Sequence, residues 1–120
     1  MDFAIVAAGG AVGAAGRYAI SLIPFKSEFP VPTFLANFLG AIAIGLIVGL
    51  ADRYGIPARL TLFLKTGVCG GFTTFSTFSL EACNLFERGS YGFAILYIFS
   101  SVVGCVGGVW CAKKMTTIGQ

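Results

Sequence analysis

The stretch Gly70-Gly71-Phe72-Thr73-Thr74-Phe75-Ser76-Thr77-Phe78-Ser79, with Glu81 close behind, holds the densest chemistry in this chain. It lies inside an apolar segment, residues 60–86, where two adjacent glycines and a run of hydroxyl residues are poor helix formers. A helix broken at bilayer depth exposes N–H and C=O groups that hydrocarbon cannot satisfy, so a break survives only when buried in protein or lining a polar cavity. Carbonyls freed there, with the negative C-terminal end of the first half-helix behind them, suit a cation. Phenylalanines at 72, 75 and 78 recur every three residues. Aromatic ring edges carry weak positive charge without a hydrogen-bond donor, which suits an anion. The alternative at this point is a Gly-kinked helix that packs its aromatics into a bundle.

Other polar residues fall in apolar surroundings. Thr33 and Asn37 stand four residues apart, on one face of a helix. An intramembrane amide either ties helices together or lines a polar path, and both readings stay open for Asn37. Tyr97, Ser101 and Cys105 follow at successive i+4 steps, about 40° apart around a helix. That stripe serves helix–helix hydrogen bonding or a path. Arg17 is near the end of its apolar segment, where snorkelling or a carboxylate partner lowers its cost. Glu81 is either that partner or a proton-coupling carboxylate, and the Arg17–Glu81 pair is the expectation adopted. Lys65 snorkels or adds positive potential to a vestibule.

The elements that must position these residues follow from composition. The chain has 120 residues, 57% hydrophobic and only 11% charged, with no histidine and a mean hydropathy of +0.89. Soluble domains carry about 25% charged residues, so this composition belongs in a bilayer. Four spans can be drawn, at 3–23, 33–51, 60–86 and 91–112, and each needs about 20 apolar residues. The expected fold is therefore all-α, one four-span transmembrane domain over residues 1–120, with the third helix broken between Gly70 and Thr74. Gly9-x-x-x-Gly13, Ala36-x-x-x-Gly40, Gly45-x-x-x-Gly49 and Gly104-x-x-x-Gly108 provide close-approach faces. Four helices enclose little interior, so a polar pathway is expected to need two or more copies.

Several classes are excluded or disfavoured. A net charge of +3, scattered along the chain, does not suit nucleic acid. Cys69, Cys83, Cys105 and Cys111 have no CxxC spacing, so they read as small buried hydrophobes. No Lys or Arg precedes Arg17, so the first span is expected to stay in the mature protein. There is no nucleotide-binding motif, catalytic constellation or histidine relay, which disfavours an enzyme or a pump. Arg53, Arg59, Lys113 and Lys114 fall on one side and Lys26 and Arg88 on the other, a weak bias that permits insertion in both orientations.

The run from Gly70 to Ser79, with Glu81 after it, is similar to the third-helix signature of the Fluc (CrcB) fluoride channels. The resemblance covers the whole chain, including Arg17-Tyr18 at the end of the first helix, Asn37 in the second and the hydroxyl stripe in the fourth. It implies an antiparallel, dual-topology homodimer in a prokaryotic cell membrane, a passive channel that exports fluoride through two pores around one structural sodium ion. By that resemblance the backbone carbonyls of Gly70 and Thr73 from both copies hold the sodium. Phe75 and Phe78 turn ring edges to fluoride, Asn37 donates to it, and Tyr97 and Ser101 continue a polar track. Thr33 and Thr77 are counted with these pore residues, while Arg17 and Glu81 are structural charges. Cys105 departs from the hydroxyl residue common in the family, which puts that contact in doubt. Two rival classes are a proton-coupled exporter resembling the small multidrug transporters, disfavoured because the first helix carries Arg17 rather than a central carboxylate, and a structural or holin-like protein, which needs neither a break nor a polar stripe.

Overall fold

The computed structural model describes residues 1–118, and these form helices and connections with no strand among them. Helix α1 spans Asp2–Ser21 and stops just before Pro24, which cannot continue a helix. Helix α2, Val31–Tyr54, starts with Pro32 in its first turn. It ends at Gly55, whose left-handed φ of 67° lets its N–H reach the Ala51 carbonyl.

The third apolar segment is several pieces rather than one helix. Helix α3 (Ala58–Thr61) runs into a π-helix, π1 (Leu62–Cys69), and then into α4 (Gly70–Phe72). Thr73 and Thr74 are extended, and helix α5 (Phe75–Glu87) follows. The glycine pair expected within the interruption is thus helical, and the non-helical backbone is confined to Thr73 and Thr74. Helix α6, Tyr91–Thr117, closes the fold and runs further than the span drawn for it, 91–112.

Helices α1, α2 and α6 are long and apolar enough to cross a membrane. In lipid, helices gain nothing from excluding water from one another, so packing depends on close backbone approach and polar contacts. The small-residue faces supply that approach. Along α1, Gly9 lies against the backbone of Phe63 and Gly67, and Gly13 against that of Val68 and Phe72. Gly71 returns the contact by lying against Gly10. Along α2, Gly45 meets the Val109 backbone and Ala112, while Gly49 meets Thr116. Helix α5 leans on α6 through Phe78, Ala82 and Leu85, which pack with Ala94 and Tyr97. Two layers result, α1 on π1–α4 and α2 on α6, and the interruption lies between them.

Candidate functional site

The backbone at Thr73 and Thr74 is held from three directions. Asn37 on α2 accepts from the Thr74 N–H through Oδ1 at 2.7 Å and donates to the Thr74 carbonyl through Nδ2 at 3.1 Å. One partner is a donor and the other an acceptor, so only one orientation of the amide satisfies both. Thr74 is also the N-cap of α5: its Oγ1 accepts from the Thr77 N–H at 3.2 Å, and the two hydroxyls are themselves 3.2 Å apart. Thr73 folds back, its N–H and Oγ1 both donating to the Cys69 carbonyl at 3.0 and 2.8 Å.

These bonds leave particular carbonyls free. In an uninterrupted α-helix the Gly70 carbonyl would accept from the N–H of Thr74, and the Thr73 carbonyl from that of Thr77. Side chains have taken both donors. The Gly71 carbonyl receives Arg17 Nε at 3.2 Å. Among the described residues the carbonyls of Gly70, Phe72 and Thr73 have no donor. Gly70 and Thr73, but not Phe72, border a cavity of about 420 Å³.

That cavity is walled by α2, the third segment and α6. Asn37, Phe75, Phe78, Ser101 and Cys105 reach it, and among the described residues Lys65 is its one charged side chain. The Phe75 and Phe78 rings lie 5.5 Å apart at 45°, and Phe78 lies 5.0 Å from the Tyr97 ring. Their surroundings differ sharply: Phe78 is 8% exposed and Phe75 79%. Phe72, although in step with them in the sequence, is before the interruption and covers Gly16 and Gly40 instead. Ser101 Oγ is buried without a partner among the described residues, and the Tyr97 hydroxyl, which meets no partner at full hydrogen-bond geometry there, still lies close enough to the Glu81 carboxylate and Thr33 to interact with both. Buried polar atoms are nearly always hydrogen-bonded, so Ser101 Oγ calls for a partner that the described residues of this chain do not supply.

The expected pair of Arg17 and Glu81 does not form within the chain. Arg17 is drawn to the Gly71 carbonyl because α1 packs directly on α4. Glu81 Oε1 accepts from Thr33 Oγ1 on α2 at 2.5 Å, so the carboxylate finds a hydroxyl rather than a cation. Its other side borders a smaller polar cavity of about 290 Å³ with Glu28 and Arg88.

The sequence model of the family described as "CrcB-like protein, Camphor Resistance (CrcB)" matches residues 4–113. The chain belongs to the CrcB family. Among curated relatives of this CrcB chain, one from Nitrobacter hamburgensis, named fluoride-specific ion channel FluC 2, is 45% identical over 119 residues, covering 96% of each chain. A relative from Agrobacterium fabrum is 43% identical over 119 residues, covering 96% of this chain and 95% of its own. One from Ruminiclostridium cellulolyticum is 46% identical over 114 residues, 92% of this chain and 88% of its own. Both are named fluoride-specific ion channel FluC, so the family is one of ion channels and not of enzymes. Bacterial relatives and three helices able to span make this CrcB chain a multi-pass bacterial membrane protein.

Three features of the site were not read from the CrcB sequence. The π-helix leaves no composition signal. The Asn37–Thr74 and Arg17–Gly71 contacts join residues 37 and 54 positions apart, beyond any local pattern. The Thr74-x-x-Thr77 cap was available, since a hydroxyl residue opening an apolar run is an N-terminus signature.

Proposed function

We propose that this chain is a passive fluoride-selective channel that lets the anion leave the cytoplasm, working as an antiparallel homodimer with two pores. The observation that carries the proposal is the buried Ser101 hydroxyl, which has no protein partner among the described residues and borders the same cavity as Phe75 and Phe78. Its O–H is free to donate, and the cavity it borders is also lined by the tilted rings of Phe75 and Phe78. Fluoride gives up water reluctantly, so a pore must return donors and positive ring edges in its place. Names borne by relatives that match nearly the full chain favour fluoride over other small anions.

A second copy supplies what one chain lacks. Phe75 projects 79% exposed from a cavity wall, and a partner chain seated on that side would bury it. The weak Lys/Arg bias between the two sides allows the partner to enter inverted. At the two-fold axis, the Gly70 and Thr73 carbonyls of both copies would hold a sodium ion. The fit rests on their lost backbone donors, since an oxygen-only site without a carboxylate suits a hard monovalent cation. Bound there, sodium would fix the two copies together and add positive charge near the aromatic rings. Asn37 holds the interruption in the shape that exposes these carbonyls, and its remaining Nδ2 proton is available to the anion.

Purified protein in liposomes loaded with potassium fluoride, followed with a fluoride electrode after addition of valinomycin, tests the proposal. Rapid fluoride efflux with little chloride efflux is expected. Empty-liposome rates for fluoride, from protein that elutes as a single species, would overturn it.

A further inference from the structure

We infer that Lys65 is the anion-collecting residue of the cavity, an electrostatic determinant of how fast fluoride reaches the aromatic pair. The inference rests on the fluoride-channel reading and adds a residue to it.

Among the described residues Lys65 is the one charged side chain on a wall otherwise made of apolar groups, hydroxyls, thiols and an amide, and no carboxylate among them borders the cavity to neutralise it. The π-helix accounts for its being there. In an α-helix, residues five apart lie about 140° around the axis from each other. In π1 the Gly70 N–H instead bonds to the Lys65 carbonyl, an i→i+5 link that stacks the two residues on one face. Lys65, Cys69 and Gly70 therefore border the same space as Thr73 and Phe75. The side chain itself is exposed in one copy, so its ammonium can meet water while its stem borders the cavity. Low-dielectric walls focus such a field, and a charge of one sign at the mouth of a cleft raises the local counter-ion concentration about 10-fold or more.

The test is initial fluoride efflux from liposomes carrying wild type, Lys65→Arg, Lys65→Gln or Lys65→Glu, at equal sodium and matched for elution as one species. It is run in potassium gluconate at ionic strengths of about 0.01 M and about 1 M, where the Debye length falls from about 30 Å to about 3 Å. At low salt, Lys65→Gln is expected to slow efflux about threefold and Lys65→Glu about tenfold, with Lys65→Arg near wild type; at high salt the differences should shrink toward unity. Wild-type rates for Lys65→Glu at low salt, or deficits that do not change with salt, would overturn the inference while leaving the channel reading intact. No wild-type efflux overturns both. Should a charge substitution not fold, Lys65→Cys is modified after reconstitution with methanethiosulfonates bearing a trimethylammonium or a sulfonate, wild type treated alike giving the background from Cys69 and Cys105. The cationic adduct should restore low-salt efflux and the anionic adduct depress it, and equal effects would again overturn the assignment.

Discussion

Asn37→Asp keeps an oxygen to accept from the Thr74 N–H but turns a second oxygen, in place of the donor, toward the Thr74 carbonyl. A buried group left without its partner costs about 1–3 kcal/mol. The variant is expected to melt below wild type and to carry no fluoride; unchanged flux in well-folded protein would remove Asn37 from the site. The two phenylalanines allow a sharper comparison because burial and proposed role separate. An apolar swap of similar volume costs under about 1.5 kcal/mol, and only where the side chain is buried. Phe78→Ile should therefore destabilise the chain more than Phe75→Ile, since Phe78 is 8% and Phe75 79% exposed in one copy. If ring edges contact the ion, both variants lose flux regardless. Flux that survives in Phe75→Ile and follows the amount of folded protein in Phe78→Ile would mean that the rings only fill space.

At the scale of the element, the glycines on helix faces are not equivalent. A Cβ at Gly13 would clash with the Val68 carbonyl and lie 2.7 Å from the Phe72 nitrogen, both backbone atoms that a rotamer change cannot move. A Cβ at Gly107 meets nothing within 4 Å in the isolated chain. Replacing a helix-interior glycine with alanine gains about 1 kcal/mol of helix propensity. At Gly107 that gain should stand, and thermal unfolding in detergent should occur at or above the wild-type temperature. At Gly13 the clash separates α1 from α4, weakens the Arg17 bond to Gly71 and outweighs the gain, so Gly13→Ala should unfold well below wild type. Equal melting of the two variants would show that α1 does not pack on the interruption through this face. Helix α6 has its own anchor on α2, where Arg53 Nη1 donates to the carbonyls of Thr116 and Ile118 at 2.9 and 3.2 Å, satisfying carbonyls that a helix end leaves open.

For the whole molecule, the decisive question is whether copies enter the bilayer in both orientations, as the proposed antiparallel dimer requires. A cysteine placed at exposed Asp52, in a background lacking the four native cysteines, reports on the α2–α3 connection. If copies enter antiparallel, an impermeant thiol reagent should label it from outside and from inside in comparable amounts. Labelling from one side alone would rule out the inverted dimer, and with it a shared sodium site built from the Gly70 and Thr73 carbonyls of both copies.

Composition sufficed to place this chain in a membrane, because 11% charged residues cannot cover a soluble surface, and one long motif sufficed to indicate the family. The neighbourhood of the interruption was legible too, since adjacent glycines and threonines are weak helix formers wherever they occur. Its limits were not. Gly70 and Gly71 stay helical because Gly70 bonds back to Lys65 across a π-turn and Gly71 fits against Gly10, contacts that depend on a neighbouring helix and on an unusual hydrogen-bond register. The same reason explains where the two charges go within one chain. Spacing along one helix says which side chains share a face, but the partner of each is whatever the facing helix presents at that height. Only the docking of α1 on α4 gave Arg17 a carbonyl, and only that of α2 near α5 gave Glu81 a hydroxyl and Thr74 an amide.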